Sequence, residues 1–413
     1  MQQGTYPSRM LAEVQRDHGF ILEVVQGTIR WFRCLEFYRQ TLAPKKPTLR
    51  LHALLLTGLY QLFYMDQADS HAVVYETVER AKNEIGPWAG RLVNAILRRA
   101  IREQNELVAA LSHQSFAVQS SHPDELISRW KLRFDADELH ALCNWNNLRP
   151  NVILRVNRSR STPQDLLERL HKAGIGCEPH PAAPTSFISL SHGARLRELP
   201  GYDDGLFYVQ DPSTSTATDL LDVAPGHRVL DLCAAPGGKT ATLAEALNGH
   251  GTLIACDVSE TRLARLQENL QRLQFDGIQT IQADALNPIH LEHALRKSIP
   301  NGFDRILLDV PCSNTGVLRR RPDARWRFSK DALNEVEAVQ KKMLSGAARW
   351  LHAQGKLVYS TCSLEPEENQ VQVKRWIVEH PDWEIEQDCE LVPTQTETDG
   401  GYIARLHRHG SGK

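Results

Sequence analysis

From about residue 216 onward the sequence alternates short apolar runs with stretches of helical periodicity, and this alternation limits the fold more than any other feature. Strands separated by helices pair side by side through crossover connections, which gives a parallel sheet with helices on both faces. The expected strands are Arg228 to Leu232, Thr252 to Cys256, Ile278 to Gln282, Asp304 to Asp309 and Lys356 to Ser360. Helices are expected to start near Lys239, Glu260, Asp331 and Glu367. In such a sheet a ligand binds beyond the carboxyl ends of the strands, so each strand end is a candidate site.

At 413 residues the chain is too long for one ordinary core, and two further regions precede the alternating one. Residues 1–140 read as helices. Leu51, Leu54, Leu55, Leu59, Leu62 and Phe63 recur at helical spacing, as do Val93, Ile96, Leu97, Ala100 and Ile101. On the side opposite the second group Arg91, Arg98 and Arg102 form a narrow stripe suited either to solvent or to phosphates. Residues 141–215 read as a small α/β module, with strand-like NVILRVN and SFISL flanking a helix from Pro163 to Ala173. The third domain is 216–413.

Apolar residues make up 41% and charged residues 24%, the balance of a folded protein. The first twenty residues hold no apolar core with a small-residue cleavage site, and Leu51 to Met65 is short and broken by His52, Thr57 and Gln61. No secretory signal or membrane span is expected, which points to the cytoplasm. Eight cysteines with no CxxC pair argue against a disulfide framework or a zinc site, and no metal is expected. A formal charge of -2 means that contact with nucleic acid must come from local basic surfaces.

The first expected strand runs into DLCAAPGGKT, where Cys233, Ala234, Ala235, Pro236, Gly237, Gly238 and Lys239 form a strand-to-helix turn. Glycines there let the backbone approach a ligand, and the following helix offers free amides to a carboxylate. A phosphate-binding P-loop needs glycine where Cys233 stands, and the dinucleotide pattern G-x-G-x-x-G is absent. Asp257 ends the second strand at the position that accepts ribose hydroxyls, and Asp284 follows the third, on the adenine side. A glycine loop with two acids on successive strands suits an adenosine with an amino-acid tail and no phosphate, which describes S-adenosylmethionine.

The fourth strand delivers Asp309-Val310-Pro311-Cys312 and the fifth Thr361-Cys362-Ser363, so both thiols are expected to open into one crevice. Cys34, Cys143, Cys177, Cys233, Cys256 and Cys389 are expected to be buried structural cysteines. Carbon 5 of cytosine is too poor a nucleophile to attack a methyl sulfonium, but thiolate addition at carbon 6 converts the ring into an enamine that can. The carbon-5 proton must then leave and the thiolate be expelled, and Cys312 is the candidate to act as base or to assist. Asp309 is placed to hold N3 and the exocyclic amine, in a neutral or proton-sharing state.

DLCAAPGGKT, DVPCSNTG and STCSLEPEEN resemble the signature motifs of the NOL/NOP/sun family of RNA cytosine-5 methyltransferases, whose catalytic part is a Rossmann-like class I domain. GLYQLFYMDQADSHAVVYETVERAK and RLVNAILRR resemble the NusB-like helical domain that precedes it in bacterial members. The resemblance covers nearly the whole chain. It implies that Cys362 is the nucleophile, that Cys312 serves product release, and that Cys233–Lys239, Asp257, Asp284 and Asp309 contact the cofactor. It implies 16S ribosomal RNA as substrate, one cytidine of which becomes 5-methylcytidine. The amino terminus is shorter than the family's, as if the first helix were reduced, and DGGYIARL stands where DGFF is expected.

LRRRPDARWRF, residues 318–328, places Arg319, Arg320, Arg321, Arg325 and Trp326 just after the Cys312 loop, where a basic segment would bind phosphates and stack on an unpaired base. A stacked cytosine cannot offer carbon 6 to a thiol, so the target is expected to be single-stranded or flipped out. A monomer is expected. The alternatives are a DNA cytosine-5 methyltransferase, whose nucleophile is the cysteine of the PC motif, and a non-catalytic RNA-binding assembly factor. The second cysteine speaks against the first, and the intact motifs against the other.

Overall fold

Helical periodicity governs the first part of the computed structural model, which describes residues 17–191, 195–296 and 302–409. The chain divides into two compact units: one runs to Arg149 and includes Leu318–Phe328, and the other comprises Pro150–Val317 and the chain from Ser329.

In the first unit, helix Leu49–Tyr64 buries Leu51, Leu55 and Leu59, and Leu54, Leu62 and Phe63 pack half-buried against the same core. Each fully buried leucine stabilises this core by about 2 kcal/mol. Helix Pro87–Arg102 starts on a proline, whose missing amide costs nothing at that position. It buries Val93, Ile96, Leu97 and Ala100, whereas Ile101, expected on the same face, is 39% exposed. At 3.6 residues per turn, position 101 lies about 90° from the centre of that face. Arg91, Arg98 and Arg102 are all exposed on the opposite side. The reduced first helix expected at the amino terminus falls in residues 1–16, outside the described residues.

The second unit starts with a four-stranded antiparallel sheet of β1 (Ile153–Val156), β2 (Cys177–Pro179), β3 (Phe187–Leu190) and β4 (Phe207–Val209), in the order β2-β3-β1-β4. Thr162 caps helix Pro163–Lys172 by accepting from the Asp165 amide at 3.1 Å. That helix buries Leu166 and Leu170 in a common core with Leu154, Ile188 and Phe207.

The large sheet contains β5 (Arg228–Leu232), β6 (Thr252–Asp257), β7 (Gln279–Gln282), β8 (Phe303–Asp309), β9 (Leu351–Thr361), β10 (Trp383–Leu391) and β11 (Gly401–Arg408). Its order is β10-β11-β9-β8-β5-β6-β7. The pairs from β7 to β9 are parallel, and β11 joins β9 antiparallel as one arm of a hairpin with β10. The five parallel strands are those expected. The hairpin was not: Trp383–Leu391 carries charges on both faces and shows no clean alternation.

Residues alternate between two cores along each strand, as a period of two requires. Leu230, Ile254, Leu308 and Tyr359 face helices Lys330–Ala348 and Gln370–Glu379. Val229, Leu253, Leu307 and Val358 face helices Ser213–Leu221 and Gly238–Leu247. The chain runs outward from β5 through β6 to β7 and returns to β8 on the other flank of β5, so the order reverses between β5 and β8. A crevice therefore opens beyond their carboxyl ends.

Candidate active site

β5 ends in the loop Cys233–Lys239. Gly237 has φ 102, and a side chain there would be strained and would bring a Cβ to 3.0 Å from Leu266. The turn is tied to the next strand by the Ala235 amide, which donates to Asp257 Oδ2 at 3.3 Å. Asp257 is 3% exposed, and its Oδ1 accepts from the Ser259 amide at 2.9 Å and lies 2.8 Å from Arg262. Asp284, two residues past β7, is half-buried and accepts from the Leu286 amide at 2.9 Å. Both acids lie at the expected strand ends, and both also hold their own turns.

Asp309 closes β8. Its Oδ2 accepts from Lys239 Nζ at 2.7 Å and its Oδ1 from the Ser360 hydroxyl at 2.7 Å. Two donors, one of them the Lys239 ammonium, thus hold the two carboxylate oxygens of Asp309. Burial opposes the charge of Lys239, but the Asp309 carboxylate outweighs it and the lysine pKa is raised.

β8 and β9 are adjacent and parallel, so the loops after them meet. The sulfurs of Cys312 and Cys362 are 2.9 Å apart, and the Cys362 amide lies 3.3 Å from Cys312 Sγ. Asn314, at φ 63, links both loops: its Nδ2 donates to the Cys312 carbonyl at 2.7 Å, and its Oδ1 lies 3.3 Å from Cys362 Sγ. The hydrogen bond with Cys362, then burial, then the nearby charges of Cys362 and Glu368 raise the Cys312 pKa well above the usual thiol value. Cys312 is thus disposed to keep its proton. Backbone contact is close here: a Cβ on Gly316 would lie 2.4 Å from the Gly400 carbonyl oxygen.

The comparisons with known proteins match this architecture part by part. Residues 218–407 match the family model described as 16S rRNA methyltransferase RsmB/F. Residues 3–102 match the NusB family and 122–193 the ferredoxin-like domain of RsmF/B-like methyltransferases. The Ribosomal RNA small subunit methyltransferase B of Pseudomonas putida is 38% identical over 91% of this chain and 84% of its own length. The chain belongs to the RsmB/F methyltransferase family. The enzyme of the same name from Serratia proteamaculans is 36% identical over 98% of this chain and 95% of its own. A crystal structure of a methyltransferase homolog protein from Pyrococcus horikoshii superposes with a TM-score of 0.59 at 27% identity, covering 71% of this chain and 97% of that one.

As a member of the RsmB/F family the chain is an S-adenosylmethionine-dependent rRNA methyltransferase, and its residues fit that cofactor. The helix Gly238–Leu247 starts at the loop with its first amides available to a carboxylate. Asp231, which sequence reasoning left without a role, is fully buried, accepts from the Thr240 hydroxyl at 2.7 Å and finds no partner for Oδ1 among the described residues. Burial raises its pKa to about 7, aided by the charge of Asp309. An unpartnered carboxylate oxygen beside the loop suits a cationic amino group.

Glu368 was also missed. It lies fully buried behind the cysteine loops and accepts from the Ser313 amide at 2.9 Å, the Ser363 hydroxyl at 2.6 Å, Gln340 Nε2 at 3.0 Å and the Ser313 hydroxyl. Its neighbour Asn369 accepts from the Thr361 hydroxyl at 2.6 Å and donates to the Ser363 carbonyl at 2.8 Å, bracing the turn at Cys362. EPEEN reads as a polar run at the start of a helix, with nothing to mark Glu365, Glu368 and Asn369 as buried.

The basic segment after the Cys312 loop differs from expectation. Leu318–Phe328 belongs to the helical unit, and Arg325 is completely buried there. Its guanidinium donates to the carbonyls of Arg30 at 3.2 Å, Ser121 at 3.0 Å and Asn146 at 3.0 Å, and to Asn147 Oδ1 at 2.9 Å. Burial and the charge of Arg30 push its pKa down to about 9. Arg319 is buried over the Trp145 ring, 4.0 Å from its centroid, and Trp326 donates to the Ile29 carbonyl at 2.7 Å. Completely buried, with both terminal nitrogens held by protein oxygens, Arg325 has no face left for a phosphate; Arg320 is half-buried and Arg321 exposed. Of the six cysteines expected to be buried, Cys34, Cys143, Cys177 and Cys256 are, while Cys233 and Cys389 are half-buried. Among the described residues no helix is long and apolar enough to cross a membrane.

Proposed function

We propose that this enzyme methylates carbon 5 of one cytidine in 16S ribosomal RNA through a covalent bond between Cys362 and cytosine carbon 6. The observation that carries the reading is the approach of the Cys312 and Cys362 sulfurs to 2.9 Å at the ends of neighbouring strands. Two thiols in contact, one of them disposed to keep its proton, form a nucleophile with its own acid. A pair serving only as core packing would not need to stand at the crevice beside the cofactor loop.

S-adenosylmethionine, held by Cys233–Lys239 with Asp257, Asp284 and Asp309, supplies the electrophilic methyl group. Cys362 adds as thiolate to carbon 6 and pushes electron density onto carbon 5 and the ring edge. Asp309 accepts from the exocyclic amine while Lys239 offers a cation to the ring edge as charge builds there. After methyl transfer solvent water in the open crevice takes the carbon-5 proton and the bond from sulfur to carbon 6 breaks, its electron pair returning to Cys362. Cys312, in hydrogen-bond contact, stabilises the departing thiolate. Cytosine must be unstacked for this approach, so the target is single-stranded or flipped out.

The test compares Cys312→Ala and Cys362→Ala on 16S ribosomal RNA. The Cys362 variant is expected to form no covalent adduct, and the Cys312 variant to trap RNA on the enzyme. The opposite pattern would overturn the assignment. Bisulfite mapping of ribosomal RNA from cells with and without the gene locates the cytidine, and an unchanged map would remove the cytosine reading altogether.

A further inference from the structure

We propose that Glu368 is a positioning residue of the reaction: its buried carboxylate grips the residue that follows each cysteine and thereby fixes the two thiols against one another. Deepening the cysteine mechanism above, the inference rests on that reading.

The geometry is specific. Ser313 follows Cys312 on the β8 loop and Ser363 follows Cys362 on the β9 loop; both hydroxyls donate to Glu368 Oε1, the Ser363 bond at 2.6 Å. Oε2 takes the Ser313 amide at 2.9 Å and Gln340 Nε2 at 3.0 Å. Gln340 also donates to the Pro311 carbonyl at 3.0 Å, which secures the Cys312 loop from its other end. The two serine hydroxyls are themselves 3.0 Å apart, so the loops meet twice, once at sulfur and once at oxygen. Glu368 is held in turn by its own carbonyl, which accepts from the Tyr359 hydroxyl of β9 at 2.7 Å.

A fully buried carboxylate with all its partners donating is costly to keep unless those bonds matter to the fold or the site. Here three of the four bonds restrain the serines next to the thiols, and the fourth comes from Gln340 of helix Lys330–Ala348. The charge also acts on the pair. The ionisable groups around Glu368 are Cys312, Tyr359 and, beyond it, Glu337, and the negative charge of Glu368 opposes ionisation of Cys312. Glu368 therefore biases Cys312 toward its protonated form.

Glu368→Gln places an amide donor among four donors, which breaks the grip and removes the charge together. The first readout is alkylation of the full-length protein by iodoacetamide across pH, without RNA or cofactor, with each cysteine followed by peptide mass spectrometry. Cys362 is expected to react well before Cys312 in the wild type, and that selectivity to fall at least about tenfold in Glu368→Gln. The second is steady-state methylation: kcat is expected to fall about tenfold to a hundredfold with KM for S-adenosylmethionine unchanged, since a shift of about 1 Å at reacting atoms has such effects. Glu368→Asp, too short to reach both loops, should fall between.

A folded Glu368→Gln with wild-type selectivity and kcat overturns the proposal. If that variant does not fold, Ser313→Ala combined with Ser363→Ala keeps the buried acid and removes both hydroxyl links; unchanged selectivity there overturns it equally. Because alkylation needs no substrate, an active Cys362→Ala enzyme would defeat the adduct mechanism while leaving the thiol selectivity measurable.

Discussion

Asp231 is an acid between Leu230 and Leu232 in the strand RVLDL, and its cost depends on protonation. Burial raises its pKa to about 7 in the folded chain, against about 3.9 in an unfolded one. With the folded value raised, the proton-linked stability is full below about pH 4 and is lost as pH rises through about 7. Asp231→Asn keeps the shape and deletes the titration. Urea unfolding midpoints are therefore expected to shift in favour of the variant between pH 4 and 7 and to run parallel above about pH 8. Parallel curves throughout would mean that the carboxylate ionises without penalty. The residues of the site were legible to the extent that chemistry names them: a thiol, a glycine loop and acids at strand ends have recognisable tasks. Asp231 and Glu368 were within the quoted motifs and stayed invisible, because what singles them out is burial and the direction of neighbouring donors, and no local pattern encodes either.

Among elements, the parallel strands were legible because each had to be apolar and short between helices, whereas the β10–β11 hairpin obeys no such constraint. Leu318–Phe328 was the larger misreading. Arginines in a run signal solvent, yet Arg325 is buried where the helices of the first unit present carbonyls without other donors: Arg30 at a helix end, Ser121 in a turn, Asn146 in the last turn of Ala136–Asn147. The letters of this segment cannot reveal which carbonyls need a donor 179 to 295 residues away. Arg325 is thus a plug in the helical core rather than part of a phosphate clamp. Arg325→Ala leaves these acceptors buried and unpaired, and is expected to destabilise the helical unit by about 3 kcal/mol. Arg321→Ala, at an exposed position, is expected to change stability by less than about 0.5 kcal/mol. Denaturant melts of both variants, followed by far-ultraviolet circular dichroism, check the contrast, and equal midpoints would refute the plug.

At the scale of the whole molecule, a formal charge of -2 supplies no general attraction for RNA, so the affinity must come from surfaces where cations gather. With Arg319 and Arg325 consumed inside the helical unit, the stripe of Arg91, Arg98 and Arg102 on helix Pro87–Arg102 becomes the stronger candidate of the two basic features read from the sequence. All three side chains are exposed, and Arg98 makes only a helix-internal bond to Asn94 Oδ1 at 2.9 Å among its described contacts. Three phosphate contacts to a single strand release counterions with a slope of about 0.7 each in log K against log salt, so about 2 in all. Replacing the three by glutamine should lower RNA affinity at low salt, reduce that slope by about 2, and leave kcat at saturating RNA unchanged because none of the three belongs to the proposed catalytic set. A slope identical to wild type would identify the stripe as a solvated helix face. A fall in kcat at saturation would mean instead that these arginines orient the substrate for chemistry rather than simply hold it.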